Sequence, residues 1–166
     1  MKKFILSILL YLTCSLAQAQ FISPTELGKI FALWSLNSQQ DLYAYIQSLD
    51  SGWKYDPSGF KAEQNDVAAR WLYISEPYQV AVIDLTDVRQ SGTNINKVSY
   101  TTSNKTFFYR YVTRFQESTF KVVYAGTQSD GSHRMVYQNG DIFFILTEDP
   151  PTSSGLIVYS ITVQGS

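Results

Sequence analysis

The sequence predicts an α+β fold: a mainly antiparallel sheet with helices packed on it. Three observations carry this. Capping signals precede apolar residues at helical spacing in three places. Strand-like alternation fills much of the remainder, punctuated by Asp-Gly and Asn-Gly. An ordered set of matching residues also recurs about 61–67 positions further along, which points to a tandem duplication of a helix–four-strand unit.

The chain opens MKKFILSILLYLTCSLAQAQ. Basic Lys2 and Lys3 precede a short apolar run from Phe4 to Leu12. Ala17-Gln18-Ala19 then supplies small residues at the spacing of a cleavage site. This is the layout of a bacterial-type signal peptide cut after Ala19. The run is too short to span a bilayer as a permanent helix, and no other run is long enough, so no transmembrane segment is expected. Lipid attachment at Cys14 is the rival reading. It is disfavoured because Tyr11 and Thr13 stand where such a site prefers Leu and a small residue. The expected organisation is a signal peptide at 1–19 and one α+β domain at 20–166, with pseudo-repeats at about 37–103 and 104–164. The mature chain would reside in the periplasm or outside the cell.

Cleavage at Ala19 removes the only Cys, leaving no disulfide, thiol nucleophile or thiolate ligand. Roughly 147 residues can still bury a sufficient single core. Of 13 basic residues, 11 remain after loss of Lys2 and Lys3, against 14 acidic ones, so the mature charge is about −3. Like charges do not cluster in the sequence, and nothing in the composition points to nucleic acid or an anionic membrane.

Ser23-Pro24-Thr25-Glu26 is a capping box with Pro at the first helical position. Leu27, Ile30, Phe31 and Trp34 then form one face of a first helix. Asn37 or Ser38 starts a second, whose stripe is Leu42, Tyr45, Ile46 and Leu49, with Gly52 as a left-handed stop. Ser103 or Asn104 starts a third, with Phe108, Tyr111, Val112 and Phe115. Strands are expected at WKY, WLYIS, QVAVIDLTD, KVSYTT, FKVVYAG, SHRMVYQ, DIFFILTE and LIVYSITV. The polar stretches 56–69 and 87–96 read as loops, the former with room for a strand. Asp130-Gly131 and Asn139-Gly140 provide the positive φ angles of tight hairpins.

LYAYIQSLDSGWKY parallels FYRYVTRFQESTFKV. Tyr43 and Tyr45 match Tyr109 and Tyr111, and Lys54 matches Lys121. Arg70 and Tyr73 match Arg134 and Tyr137, and Leu85-Thr86-Asp87 matches Leu146-Thr147-Glu148. One domain with internal pseudo-twofold symmetry is the expected result. This plan resembles, at the level of architecture, small secreted inhibitor and binding domains built from two helix–β4 repeats, such as the β-lactamase inhibitory protein.

Alternation assigns strand faces. One face carries Trp53, Trp71, Tyr73, Ile83, Leu85, Phe120, Val122, Tyr124, Tyr137, Phe144, Leu146 and Ile161, and should take the helices. The other carries Leu72, Val82, Asp84, Lys121, Val123, Arg134, Val136, Phe143, Ile145, Leu156 and Val158. So apolar a second face calls for a cover. The candidates are the other half-sheet, the first helix, a second copy of the chain or a ligand.

Candidate chemistry is sparse. His133, the only histidine, lies beside a turn whose composition accounts for Ser132 and Asp130, and one His without Cys makes a zinc site unexpected. No metal or other cofactor is expected. Asp84 interrupts the apolar run AVIDL and is the weak catalytic candidate, unless it pairs with Arg70 or Arg89. The favoured expectation is a non-catalytic domain that binds a protein or envelope component through a sheet face, as a monomer or homodimer. Arg70, Tyr78, Lys121, Arg134 and Phe143 are its candidate contacts, since Tyr and Arg are favoured interface anchors. The alternatives are a small enzyme with a cone-shaped sheet pocket using Asp84 as acid or base, and an envelope structural protein without a specific ligand.

N-terminal sequencing of the exported protein tests the first of these expectations. A chain starting at Gln20 is the expected result. One starting at a lipidated Cys14 would replace it.

Overall fold

A computed structural model of the chain describes residues 21–57, 67–75, 79–90 and 93–165. Ser23 caps helix α1 (Pro24–Ser35). Its hydroxyl accepts from the Glu26 N–H at 3.2 Å, and the Glu26 carboxylate accepts from the Ser23 N–H at 2.7 Å. Leu27, Ile30, Phe31 and Trp34 are buried, as their spacing predicts. Asn37, at φ 54°, turns the chain into α2 (Gln39–Leu49). That helix buries Leu42 and Ile46, while Tyr45 and Leu49 are only half covered. Asn104 caps α3 (Lys105–Gln116), its side chain accepting from the Thr106 and Phe107 N–H groups. Phe107 joins the four expected residues in its buried stripe.

The strands are β1 (Trp53–Tyr55), β2 (Val67–Ser75), β3 (Gln79–Gln90), β4 (Thr93–Thr102), β5 (Lys121–Thr127), β6 (His133–Asn139), β7 (Ile142–Glu148) and β8 (Tyr159–Gly165). They form one eight-stranded sheet in the order β1-β2-β3-β4-β8-β7-β6-β5. All seven pairings are antiparallel. Each half of the chain lays down four strands, and the last strand of each half meets the other in the middle. There Lys97–Thr102 pairs with Gln164–Tyr159.

One face of this sheet makes the core. It presents Trp53, Trp71, Ile83, Tyr100, Ile161, Leu146 and Tyr137, all buried with the apolar stripes of the helices in one cluster. Aromatic rings fill it. Phe115 lies 5.0 Å from Phe120, 5.0 Å from Tyr137 and 4.8 Å from Phe144, centroid to centroid. Tyr43 of α2 meets the edge of Trp71 at 4.9 Å. The Trp34 indole donates to the Thr86 carbonyl at 3.3 Å, and the Tyr111 hydroxyl donates to the Ile22 carbonyl. Each such side chain, fully buried, is worth ~1.5–3 kcal/mol. The wide rings explain why three short helices suffice to cover eight strands.

Four local expectations are corrected. The stretch 87–96 is not a loop: β3 runs to Gln90 and β4 starts at Thr93, with Arg89 opposite Asn94. Backbone pairing continues there although the residues are polar. The last strand starts at Tyr159, so Leu156 and Val158 lie in the connection before it. A bulge between Val122 and Tyr124 shifts the register. Val122 pairs with Tyr137 and Tyr124 with Val136, so Tyr124 joins the second face and Val123 is the extra residue. Gly52 is not a left-handed stop. A side chain there would bring its Cβ to 2.3 Å from the Tyr73 ring, so the position needs Gly for close approach.

Gly52→Ala therefore forces Tyr73 out of its place, and a loss of ~1–3 kcal/mol is expected in denaturant titration. Burial raises the phenol pKa of Tyr100 and Tyr111 well above the usual value. Their folded-state protons are held more tightly than those of the unfolded chain, which titrates near pH 10. Their contribution is thus fully present below about pH 10 and is lost as pH rises through the raised values. Stability measured against pH should fall above that point, with phenolate absorbance from these two residues appearing only on unfolding.

Candidate functional site

Among the described residues, the second face of the sheet carries no helix. The three helices described contribute their buried stripes to one core cluster on the first face. The second face is therefore covered neither by the other half-sheet nor by α1, since both halves share one sheet and α1 packs across β4 and β8 on the core side.

The register sets its side chains in rows across the strands. The first row reads Arg70, Asp84, Ser99, Thr162, Ile145, Val136 and Tyr124, from β2 to β5. The second starts with Lys54 on β1 and continues through Leu72, Val82, Thr101, Ser160, Thr147 and Arg134. The third carries Lys97, Gln164, Phe143, Gln138 and Lys121. Leu72 and Val82 form one apolar patch, and Ile145, Val136 and Phe143 a second. Hydroxyl groups on β4, β7 and β8 separate them. Ser99 and Thr162 face each other across the seam, 2.8 Å apart.

The second face is thus less apolar than alternation alone suggested, and among the described residues its aromatics are Tyr124 and Phe143. An aromatic-rich surface is not found there; the rings are on the core side. Tyr124 bends along its strand. Its hydroxyl accepts from the Gln128 amide at 2.6 Å, and a Cβ on Gly126 would sit 2.9 Å from that oxygen.

Asp84 is bound by Arg70 through two bonds, Nε to Oδ1 at 2.6 Å and Nη2 to Oδ2 at 2.9 Å. Their side chains are 29% and 19% exposed. The hydrogen bond to Asp84 is the main cause that raises the Arg70 pKa, with Asp56 adding a smaller attraction. Both carboxylate oxygens of Asp84 are thus held by a permanent cation. The chain brings Arg70 and Asp84 together because they are cross-strand partners on β2 and β3.

Of the other candidates, Phe143 and Arg134 lie half-buried on β7 and β6, and Lys121 is exposed on the edge strand β5. These three share one end of the second face, with Arg70 on β2 towards the other. At ~4.8 Å per strand, Arg70 and Phe143 stand about 19 Å apart across the sheet. The Arg134 Nε is buried without a hydrogen-bond partner. Tyr78 lies outside the described residues, as does the Arg89 side chain.

His133 sits at an exposed strand end, its Nδ1 3.0 Å from the Thr127 hydroxyl. The Ser132 hydroxyl donates instead to Asp130 at 2.7 Å. These three residues therefore make two separate local contacts and no relay. Hydrogen bonds from the Ser132 side chain and backbone hold the Asp130 pKa below its usual value. Among the described residues no cluster of three His, Cys, Asp or Glu could hold a metal ion, and no helix is long and apolar enough to cross a membrane.

Comparison of the chain with protein-family models, curated proteins and solved structures gives no match.

The Arg70–Asp84 pair yields a direct test. Charge-assisted bidentate bonds in a partly screened site should couple by ~1–2 kcal/mol in a double-mutant cycle of Arg70→Ala and Asp84→Ala. Each single variant leaves its partner half-buried and unpaired, so the double variant should be the less destabilised per residue removed.

Proposed function

We propose that the protein is a secreted or periplasmic, non-catalytic binding domain that recognises a protein or envelope component through the second face of its sheet. The observation that carries this reading is the one-sided cover of the sheet. Eight strands present a broad face that the helices of the described residues leave alone, with two apolar patches and the half-buried Arg134, whose Nε is buried without a hydrogen-bond partner. Exposed apolar groups in such an arrangement favour association. The acid–base reading has less support, because Asp84 is already neutralised on both oxygens by Arg70. Export rests on Lys2, Lys3, the apolar run and Ala17-Gln18-Ala19.

The two halves are read as copies of one helix–four-strand unit. Support comes from the strand order, which mirrors about the β4–β8 seam, and from the helix that precedes each set of four strands. The Arg match sets Arg70, which pairs with Asp84, against Arg134, which pairs with Thr147. The Leu-Thr-acid match does not follow it: Leu85 pairs with Ala69, whereas Leu146 pairs with Met135, which the Arg match sets against Trp71. That identity is two residues out of step. A dyad would pass near Ser99 and Thr162, which then become each other's counterparts.

Affinity capture from the periplasm with the mature protein tests the binding reading. A reproducible partner is expected for the wild type. An Arg134→Ala/Phe143→Ala variant should lose at least ~2 kcal/mol of that affinity. Equal capture by both, or by neither, would contradict it.

A further inference from the structure

We infer that the partner is a protein whose docking surface is acidic. This rests on the proposal that the second face is the binding surface. The mature chain carries more acidic than basic residues, yet its charges are sorted by face. Lys54, Arg70, Lys97, Lys121 and Arg134 all occupy the second face by strand register. Among the described residues, the acids that act on these cations are Asp84, bound to Arg70, Asp56, which also acts on Arg70, and Asp130, which feels Arg134. Elsewhere the described side chains comprise four basic residues, on α1 and α3, against eight acidic ones. A net negative protein therefore turns a net positive face to solvent. Lys54, Lys97 and Lys121 have no ion-pair partner among the described residues.

The placement of these cations selects the kind of anion. Lys54 is on the edge strand β1 and Lys121 on the edge strand β5. Lys97 stands at the end of the β4–β8 ladder, while β4 runs on beside β3 to Thr93. Between them lie Leu72, Val82, Ile145 and Val136 and the hydroxyl groups of the seam. Charge at the rim around an apolar and neutral polar centre is the anatomy of a protein–protein interface. A polyanion read by charge alone would leave the aliphatic patches without partners. An acidic protein surface satisfies both, and the field of the face would steer its approach.

The test uses isotope-labelled mature protein titrated with short poly-L-glutamate, followed by amide chemical shifts. Controls are poly-L-lysine, a neutral Ser/Leu peptide and phosphatidylglycerol vesicles. Glutamate peptide should perturb second-face residues of β4, β6 and β8, with affinity falling as salt is raised. A Lys54→Gln/Lys97→Gln/Lys121→Gln/Arg134→Gln variant should bind about tenfold more weakly. A Lys29→Gln/Lys105→Gln/Arg110→Gln variant on the helix side should bind as the wild type does. Perturbation of the helix layer, indifference to the fourfold substitution, or binding to vesicles alone would overturn the inference. If the neutral peptide perturbs the same face as strongly and without salt dependence, the face binds but acidity is not what it reads. If no probe perturbs that face, both the inference and the reading beneath it fall.

Discussion

Everything else in this structure depends on the pairing of β4 with β8. The strands meet over Lys97–Thr102 and Gln164–Tyr159, and that register decides which side of each half-sheet faces the helices. Side chains alternate with a period of two, so a slip of one residue at this seam would turn the apolar face of one half towards the polar face of the other. The observed register sets Val98 against Val163 and Tyr100 against Ile161 on the core side, and Ser99 against Thr162 on the opposite side. Helix α1 then packs across the seam, and Tyr111 of α3 ties the segment before α1 to the same core through the Ile22 carbonyl. Helix α1, which among the described elements precedes both sets of helix and four strands, thus covers the joint between them.

Among the described residues, three helices lie on one side of eight strands and leave the sheet with two unlike faces. The aromatic residues go where the helices are, because rings of this size need a second layer to be buried. The seam on the open side is built from Ser and Thr, which can lie half-wet and bond to one another. Among the described residues its charges are mostly cationic, and the one ion pair formed there is a cross-strand neighbour pair. The face can therefore remain exposed in the free protein without a large uninterrupted apolar surface, which would promote aggregation.

Local signals in the sequence were read most readily where one residue type performs one local task. The Ser23–Glu26 capping box, the Asn104 cap and the glycines at 131 and 140, both at positive φ, all stand where cap and turn chemistry put them. The α+β class followed from these together with strand alternation. Harder to read was anything set by pairing at a distance. Residues 87–96 are polar, and only the ladder between β3 and β4 makes them strand. The bulge at Val123 adds one residue and reverses the face of Tyr124, which alternation cannot anticipate. Gly52 was assigned to the wrong cause because Tyr73, which crowds it, is distant in sequence. At the candidate site, alternation puts Asp84, Arg134, Phe143 and Lys121 on one face, and Arg70 enters as a candidate contact and as one of two possible partners of Asp84. The sorting of charge between faces was missed. Its signal, Lys and Arg at the same parity on five strands, becomes visible only once the strand order is known.

The most direct test of one-sided cover and of the β4–β8 register is thiol labelling. Residues 20–166 contain no Cys, so in a chain of that span single cysteines can be placed at neighbouring positions on β7 and β8. Cysteines at Ile145 and Thr162 should react readily in the native protein. Those at Leu146 and Ile161 should react only through unfolding, slower by roughly a thousandfold or more. Slow labelling at 145 and 162 would mean that the second face is covered, and a reversed alternation would mean that the seam is paired in another register.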